Sequence, residues 1–158
     1  MSVIDIELAM KHLLAEPEDQ ALVQAQLDAA EEAAQQFLHR RFYVDQAALD
    51  EAQLDVIQRT RDARGVLAIA ADAANAVENL TDRCRLKDQA LERYTNTIAE
   101  IDMVANGIVI NAAITAACLL KLGHLFANRE EVVVGVTAEE LPHASKSLLM
   151  PYRIRMGV

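Results

Sequence analysis

The sequence predicts an all-α protein, and three observations carry that expectation. Of its 158 residues, 28 are Ala, the strongest helix former. Only five Gly and three Pro punctuate the chain, and the aromatics are three Tyr and three Phe with no Trp. That stock suits long helices packed closely through small side chains. Apolar residues then recur at steps of three and four along most of the chain, the spacing of a single helical face. A β-sandwich or doubly wound sheet needs more turns than this composition supplies. The length allows one domain, or one domain with a long appendage, and 53% hydrophobic residues exclude a disordered tail.

Taken in order, Asp5 is the expected N-cap of a first helix over about 6–15, with Leu8, Leu13 and Leu14 inward. Pro17 suits the first turn of a second helix, where Glu18 and Asp19 complement its positive end. That helix is expected to reach about Phe42. Leu22, Leu27, Ala30, Ala34, Phe37 and Leu38 form its apolar stripe, Asp28, Glu31 and Glu32 its acidic face, and Arg40 and Arg41 its C-terminal end. Leu49, Ala52, Val56, Thr60, Ala63, Leu67, Ala70, Ala74 and Val77 keep a heptad-like rhythm straight through Gly65. This predicts one helix over about 46–79, spanning roughly 50 Å. Asn79 and Thr81 supply a stop and a new cap. A second rhythm, Leu86, Ala90, Tyr94, Ile98 and Ile101, completes a helical hairpin with an Ala-rich seam.

Asn106-Gly107 breaks that pattern. The most apolar helix follows over about 109–128, with Ile110, Ile114, Ala117, Cys118, Leu122 and Leu125 on one face. Ala113, Ala116 and Leu119 occupy other faces, so cover is expected on several sides. Met103 to Leu120 carries no charge and just reaches the length of a membrane span. Asn106, Gly107, Asn111 and Thr115 within it, and Lys121 directly after it, favour a buried central helix instead. Val132 to Val136 is a β-branched run, Leu141-Pro142 starts a short helix through about Met150, and Pro151 ends it. Tyr152 to Met156 is expected to leave as an extended arm. The chain thus divides into a helical core of 1–44 and 105–150, an inserted hairpin of 45–104, and an arm of 151–158.

The net charge of −9 has the wrong sign for gripping nucleic acid through its phosphates. Residues 1–50 contribute ten acids and three bases, 51–105 ten and seven, and 106–158 four and five, so the front is acidic and the tail is not. Cys84 and Cys118 sit within helical patterns, which fits a reduced cytosolic protein better than a disulfide scaffold. The opening MSVIDIELAM has neither the basic nor the apolar region of a signal peptide.

Catalytic chemistry finds little support. His12, His39, His124 and His143 do not make the paired ligand spacing of a di-metal bundle, and His124 beside Gly123 reads as a core or interface histidine. There is no glycine-rich phosphate loop and no Gly-x-Ser-x-Gly. Ser145 and Ser147 near His143 read as the polar face of a short helix. Glu130-Glu131 and Glu139-Glu140 read as solvated or interfacial charges. The expectation is a protein that is not an enzyme and holds no cofactor or metal. A lone β-branched run and a lone arm in a helical chain are instead templates for another chain, unless the valines form an ordered loop on their own core.

The stretch Leu119-Leu120-Lys121-Leu122-Gly123-His124-Leu125-Phe126-Ala127-Asn128-Arg129-Glu130 resembles the central helix and Asn-Arg-Glu signature of the head-tail connector (adaptor, or head-completion) family of tailed bacteriophages. The Val-Val-Val-Gly that follows, Glu140-Leu141-Pro142 and Leu148-Leu149-Met150-Pro151-Tyr152-Arg153 are similar to that family's C-terminal pattern, in order and at comparable spacing. Asp5 to Leu14 and Ala21 to Tyr43 resemble its first two helices. The likeness covers about 4–43 and 108–155, and the 45–104 hairpin departs from shorter members. The resemblance implies a virion structural protein of the head-tail neck, assembled in the host cytoplasm into a homo-oligomeric ring, usually a dodecamer. Such a ring joins the portal protein to a stopper or tail-completion protein. Double-stranded DNA passes through its channel during genome packaging and ejection without specific binding, and no membrane is involved. A negative channel wall would repel the DNA backbone.

The candidate interface, with the portal or a neighbouring subunit, comprises Arg129, Val132, Val133, Val134, Leu148, Leu149, Pro151, Tyr152, Arg153, Ile154 and Arg155. The alternative from another class is a soluble helical oligomeric regulator or assembly chaperone with a coiled-coil hairpin. A four-helix-bundle enzyme ranks below both.

Overall fold

A computed structural model describes residues 2–128 and 144–154 of the chain, and among these the regular structure is helical apart from one short strand pair. In chain order the helices are α1 (Ile6–Leu13), α2 (Gln20–Leu38), α3 (Gln46–Leu54), α4 (Val56–Asn75), α5 (Leu80–Ala105), α6 (Ala112–Ala127) and α7 (Ala144–Leu149). The strands are β1 (Phe42–Tyr43) and β2 (Ile108–Val109). Contacts divide the chain into two compact units, one from the chain up to Asp45 and from Ile108 onward, the other from Gln46–Gly107.

In the first unit Asp5 caps α1, its carboxylate accepting from the Glu7 N–H at 2.9 Å. The inward face of α1 is Ile6, Ala9, Met10 and Leu13, the i, i+3, i+4, i+7 set that one helical side allows. Leu8 and Leu14, expected inside, are exposed. Leu8 falls off that side, and the helix ends before Leu14, which is left-handed at φ 52. Pro17–Asp19 forms a 3-10 turn, so α2 starts three residues later than Pro17 suggests. Val23, Leu27, Ala30, Ala34 and Leu38 of α2 are buried, while Leu22 stays exposed. The helix stops at a left-handed His39 (φ 56), short of Phe42, with the Arg40 N–H donating back to the Gln35 carbonyl at 3.1 Å.

Beyond that cap, Phe42 and Tyr43 pair in parallel with Ile108 and Val109. The Ile108 N–H donates to the Arg41 carbonyl at 2.8 Å and the Ile110 N–H to the Tyr43 carbonyl at 2.9 Å. The sequence pattern carries no sign of this pair, because each strand is two residues long and finds its partner far along the chain. Asn111 caps α6, its side-chain oxygen accepting from Ala113 and Ile114 N–H at 3.0 Å. Ile114, Ala117, Cys118, Leu119 and Leu122 are buried, with Ile110, Leu125 and Phe126 packed against the core. α6 rests on α1, α2 and α7, but Ala116 and Leu120 remain exposed. The cover is therefore incomplete along one strip.

The second unit corrects one helix expectation. Residues 46–79 form two helices, α3 and α4, interrupted at Asp55, and α4 ends at Asn75. No Gly or Pro marks the interruption. Leu49 is buried there, and the Gln53 side-chain amide donates to the Ala105 carbonyl at the end of α5, 2.9 Å away, so the turn lets α3 and α4 each pack on α5. Gly65 lies inside α4 with open space where a Cβ would stand. The heptad rhythm describes the seam well. Ala52, Val56, Thr60, Ala63, Leu67, Ala70 and Val77 are half-buried and Ala74 is buried, facing Ala90, Tyr94, Ile98 and Ile101 of α5. Leu86, counted in that seam by sequence, is exposed. Asn79 caps α5 by accepting from Thr81 and Asp82 N–H at 2.8 and 3.2 Å. The Arg83 guanidinium closes the hairpin turn by donating to the Val77 carbonyl at 3.0 Å and the Glu78 carbonyl at 3.3 Å.

Candidate partner interface

The C-terminal residues singled out by sequence gather over the C-terminal half of α2. Leu149 of α7 is buried in the first unit's core, and Leu148 and Tyr152 pack against it. Pro151 is exposed within a 3-10 turn of Met150–Tyr152. Tyr152 to Ile154 therefore fold back onto their own chain instead of leaving as an extended arm. The Ile154 N–H donates to the Leu38 carbonyl at 3.3 Å, and the Arg40 guanidinium donates to the Tyr152 carbonyl at 3.4 Å. The Arg153 guanidinium lies over the Phe37 ring, 4.8 Å from its centre, a cation–π contact of about 0.5–1 kcal/mol. Helix ends leave carbonyls without intrahelical donors, and the Leu38 carbonyl is one that the returning chain satisfies. The cations Arg40 and Arg153 also sit where the α2 dipole is negative. Arg129, Val132, Val133, Val134 and Arg155 lie outside the described residues.

Between α2, α6 and α7 runs a trough of about 200 Å3, lined by Ala33, Ala34, Phe37, Ala117 and Leu149, with Lys121 and Lys146 beside it. Sequence reasoning did not find it, because its walls are alanines contributed by distant segments. His124 is exposed rather than in the core, and its ring Nδ1 lies 3.2 Å from the Asn128 side-chain nitrogen.

Glu31, expected on the acidic face of α2, is buried instead. Its side chain is 2% exposed, and its two oxygens accept from the Ile4 N–H at 2.8 Å and the Val3 N–H at 2.9 Å. Burial pushes its carboxyl above the usual range; the two backbone donors act in the opposite sense but do not cancel the shift. Ser2 and Gln24 reinforce this N-terminal clamp, with the Gln24 amide 3.3 Å from the Ser2 hydroxyl. Cys118 is also buried, and burial together with the neighbouring Glu31 charge pushes its thiol up to about 12. A thiol so held is inert as a nucleophile.

Asp28, Glu31, Glu32, Gln35 and Arg41 line a polar cleft of about 340 Å3. Its ion pair, Arg41 to Glu32 at 2.9 Å, is solvent-exposed. The Gln36 amide and Arg41 hold the Glu32 carboxyl below its usual range. Among the described residues no group of three His, Cys, Asp or Glu side chains is placed to hold a metal ion, and no helix is long and apolar enough to cross a membrane. Comparison with protein-family models, curated proteins and solved structures finds no match to this chain.

Proposed function

We propose that this chain is a virion structural protein of tailed bacteriophages that forms a ring at the head-tail interface. It joins the portal to a stopper or tail protein and forms part of the DNA channel. One observation carries the reading. The two stretches with the connector-like sequence, about 4–43 and 108–155, lie far apart in the chain yet belong to one compact unit, built through α2 against α6. The segment without that likeness forms a unit of its own. A net charge of −9 also suits a wall past which DNA slides without sticking.

Light-scattering sizing of the protein, alone and mixed with the portal protein, tests the reading. Rings, of about twelve subunits as the resemblance implies, are the expected result. A monomer or dimer that persists with portal present would favour the helical regulator or assembly chaperone instead.

A further inference from the structure

Leu14 carries two penalties at once. Its backbone is left-handed, φ 52 and ψ 36, a conformation that disfavours side chains other than Gly and Asn. Its side chain is also 90% exposed, so no burial compensates. Glycine at this helix C-cap would avoid both. His39 ends α2 in the same conformation; what sets Leu14 apart is a leucine left almost wholly in water there. Exposed Glu16 and Glu18 follow within four residues, so an apolar knob is followed closely by carboxylates.

The first unit also presents a matching receptor. The trough between α2, α6 and α7, about 200 Å3, has alanine walls from Ala33, Ala34 and Ala117, room for a branched aliphatic side chain. Lys121 and Lys146 stand exposed beside it, and neither is ion-paired with another described residue. Knob and acids at the end of α1 thus complement the hole and lysines between α2, α6 and α7.

We infer that Leu14 of one copy seats in the alanine trough of the next, with Glu16 and Glu18 facing Lys121 and Lys146. Within one chain the contact is not made: Leu14 is 90% exposed and does not line the trough. The contact is therefore between copies; passed on from copy to copy it closes into a ring, whereas a reciprocal pair would stop at a dimer and give a single linked species in place of a ladder. This deepens the ring reading and rests on it, naming the two surfaces that copies use to meet.

The test is Leu14→Gly, a change the left-handed backbone accepts, so the folded subunit is kept while the knob is lost. Self-association measured by analytical ultracentrifugation should weaken at least tenfold. Lys121→Glu with Lys146→Glu should weaken it likewise, and adding Glu16→Lys with Glu18→Lys should restore it. In a Cys84→Ser background, Leu14→Cys with Ala33→Cys should oxidise to a ladder of linked subunits. If the wild type assembles but Leu14→Gly assembles as tightly, or the charge exchange restores nothing, or no ladder forms, this inference fails and the ring reading stands. A wild type that stays monomeric at every concentration overturns both.

Discussion

Glu31 shows how much one side chain can organise. An ionised carboxylate out of water is costly unless its lone pairs are used, and here they hold the backbone of Val3 and Ile4. Glu31→Ala should leave two N–H groups without acceptors and cost about 2–5 kcal/mol, read from urea unfolding. The pH dependence has a definite sign. A carboxyl whose folded value lies above its unfolded one favours the fold when protonated. Its contribution is complete below the ordinary value of 4.5 and is lost as pH rises through the raised folded value. Wild type should therefore gain on Glu31→Gln in melting temperature as pH falls from neutrality toward 4.5, and a constant difference would contradict the shift. His39 offers a second check. At φ 56 its left-handed backbone costs a non-glycine residue about 1–2 kcal/mol, so His39→Gly should raise stability by roughly 1 kcal/mol, visible as a higher melting temperature. Neither role could be read from side-chain periodicity. Glu31 sits beside Asp28 and Glu32 on the helical wheel, and its partners are backbone amides, which no side-chain pattern records.

At the scale of elements, the hairpin was the most legible part of the chain. Steps of three and four identify the positions that α4 and α5 turn toward each other, since a helix has one side to offer a single partner. The break at Asp55 was not legible, because it arises from Leu49 and Gln53 meeting α5 and not from a local breaker. The same reason hid the return of the tail, where Arg153 and Ile154 find Phe37 and Leu38 more than a hundred residues away. The strand pair, too, is visible only once folded, and it holds Tyr43 beside Ile110. Replacing 46–107 by a short Gly/Ser linker should therefore leave the first unit folded, with a cooperative melt and helical circular dichroism. Loss of that cooperativity would show that the second unit is needed to fold the first.

For the whole molecule, charge governs what it can touch. With 24 acids against 15 bases, it should repel a polyanion, as phosphate contacts require a positive surface. No double-stranded DNA should be retained in a gel-shift assay at about 150 mM salt, where screening leaves a Debye length of ~8 Å. Retention that weakens steeply with added salt would reveal a basic face and remove the channel argument. That global balance was available from composition, unlike the trough beside Lys121, whose walls come from three separate helices.

The split of the first unit around residues 46–107 also sets a timetable. On a ribosome α2 emerges well before α6, the helix packed against it, which follows only after ~70 more residues. At ~5–20 residues per second that is a wait of roughly 4–15 s. The α4–α5 pair, built from neighbours in sequence, closes on a far shorter timescale. The latecomer in the chain's life is thus its own centre, and the part of the α2 stripe that α1 does not cover must stay in water, or be shielded by another molecule, until α6 arrives.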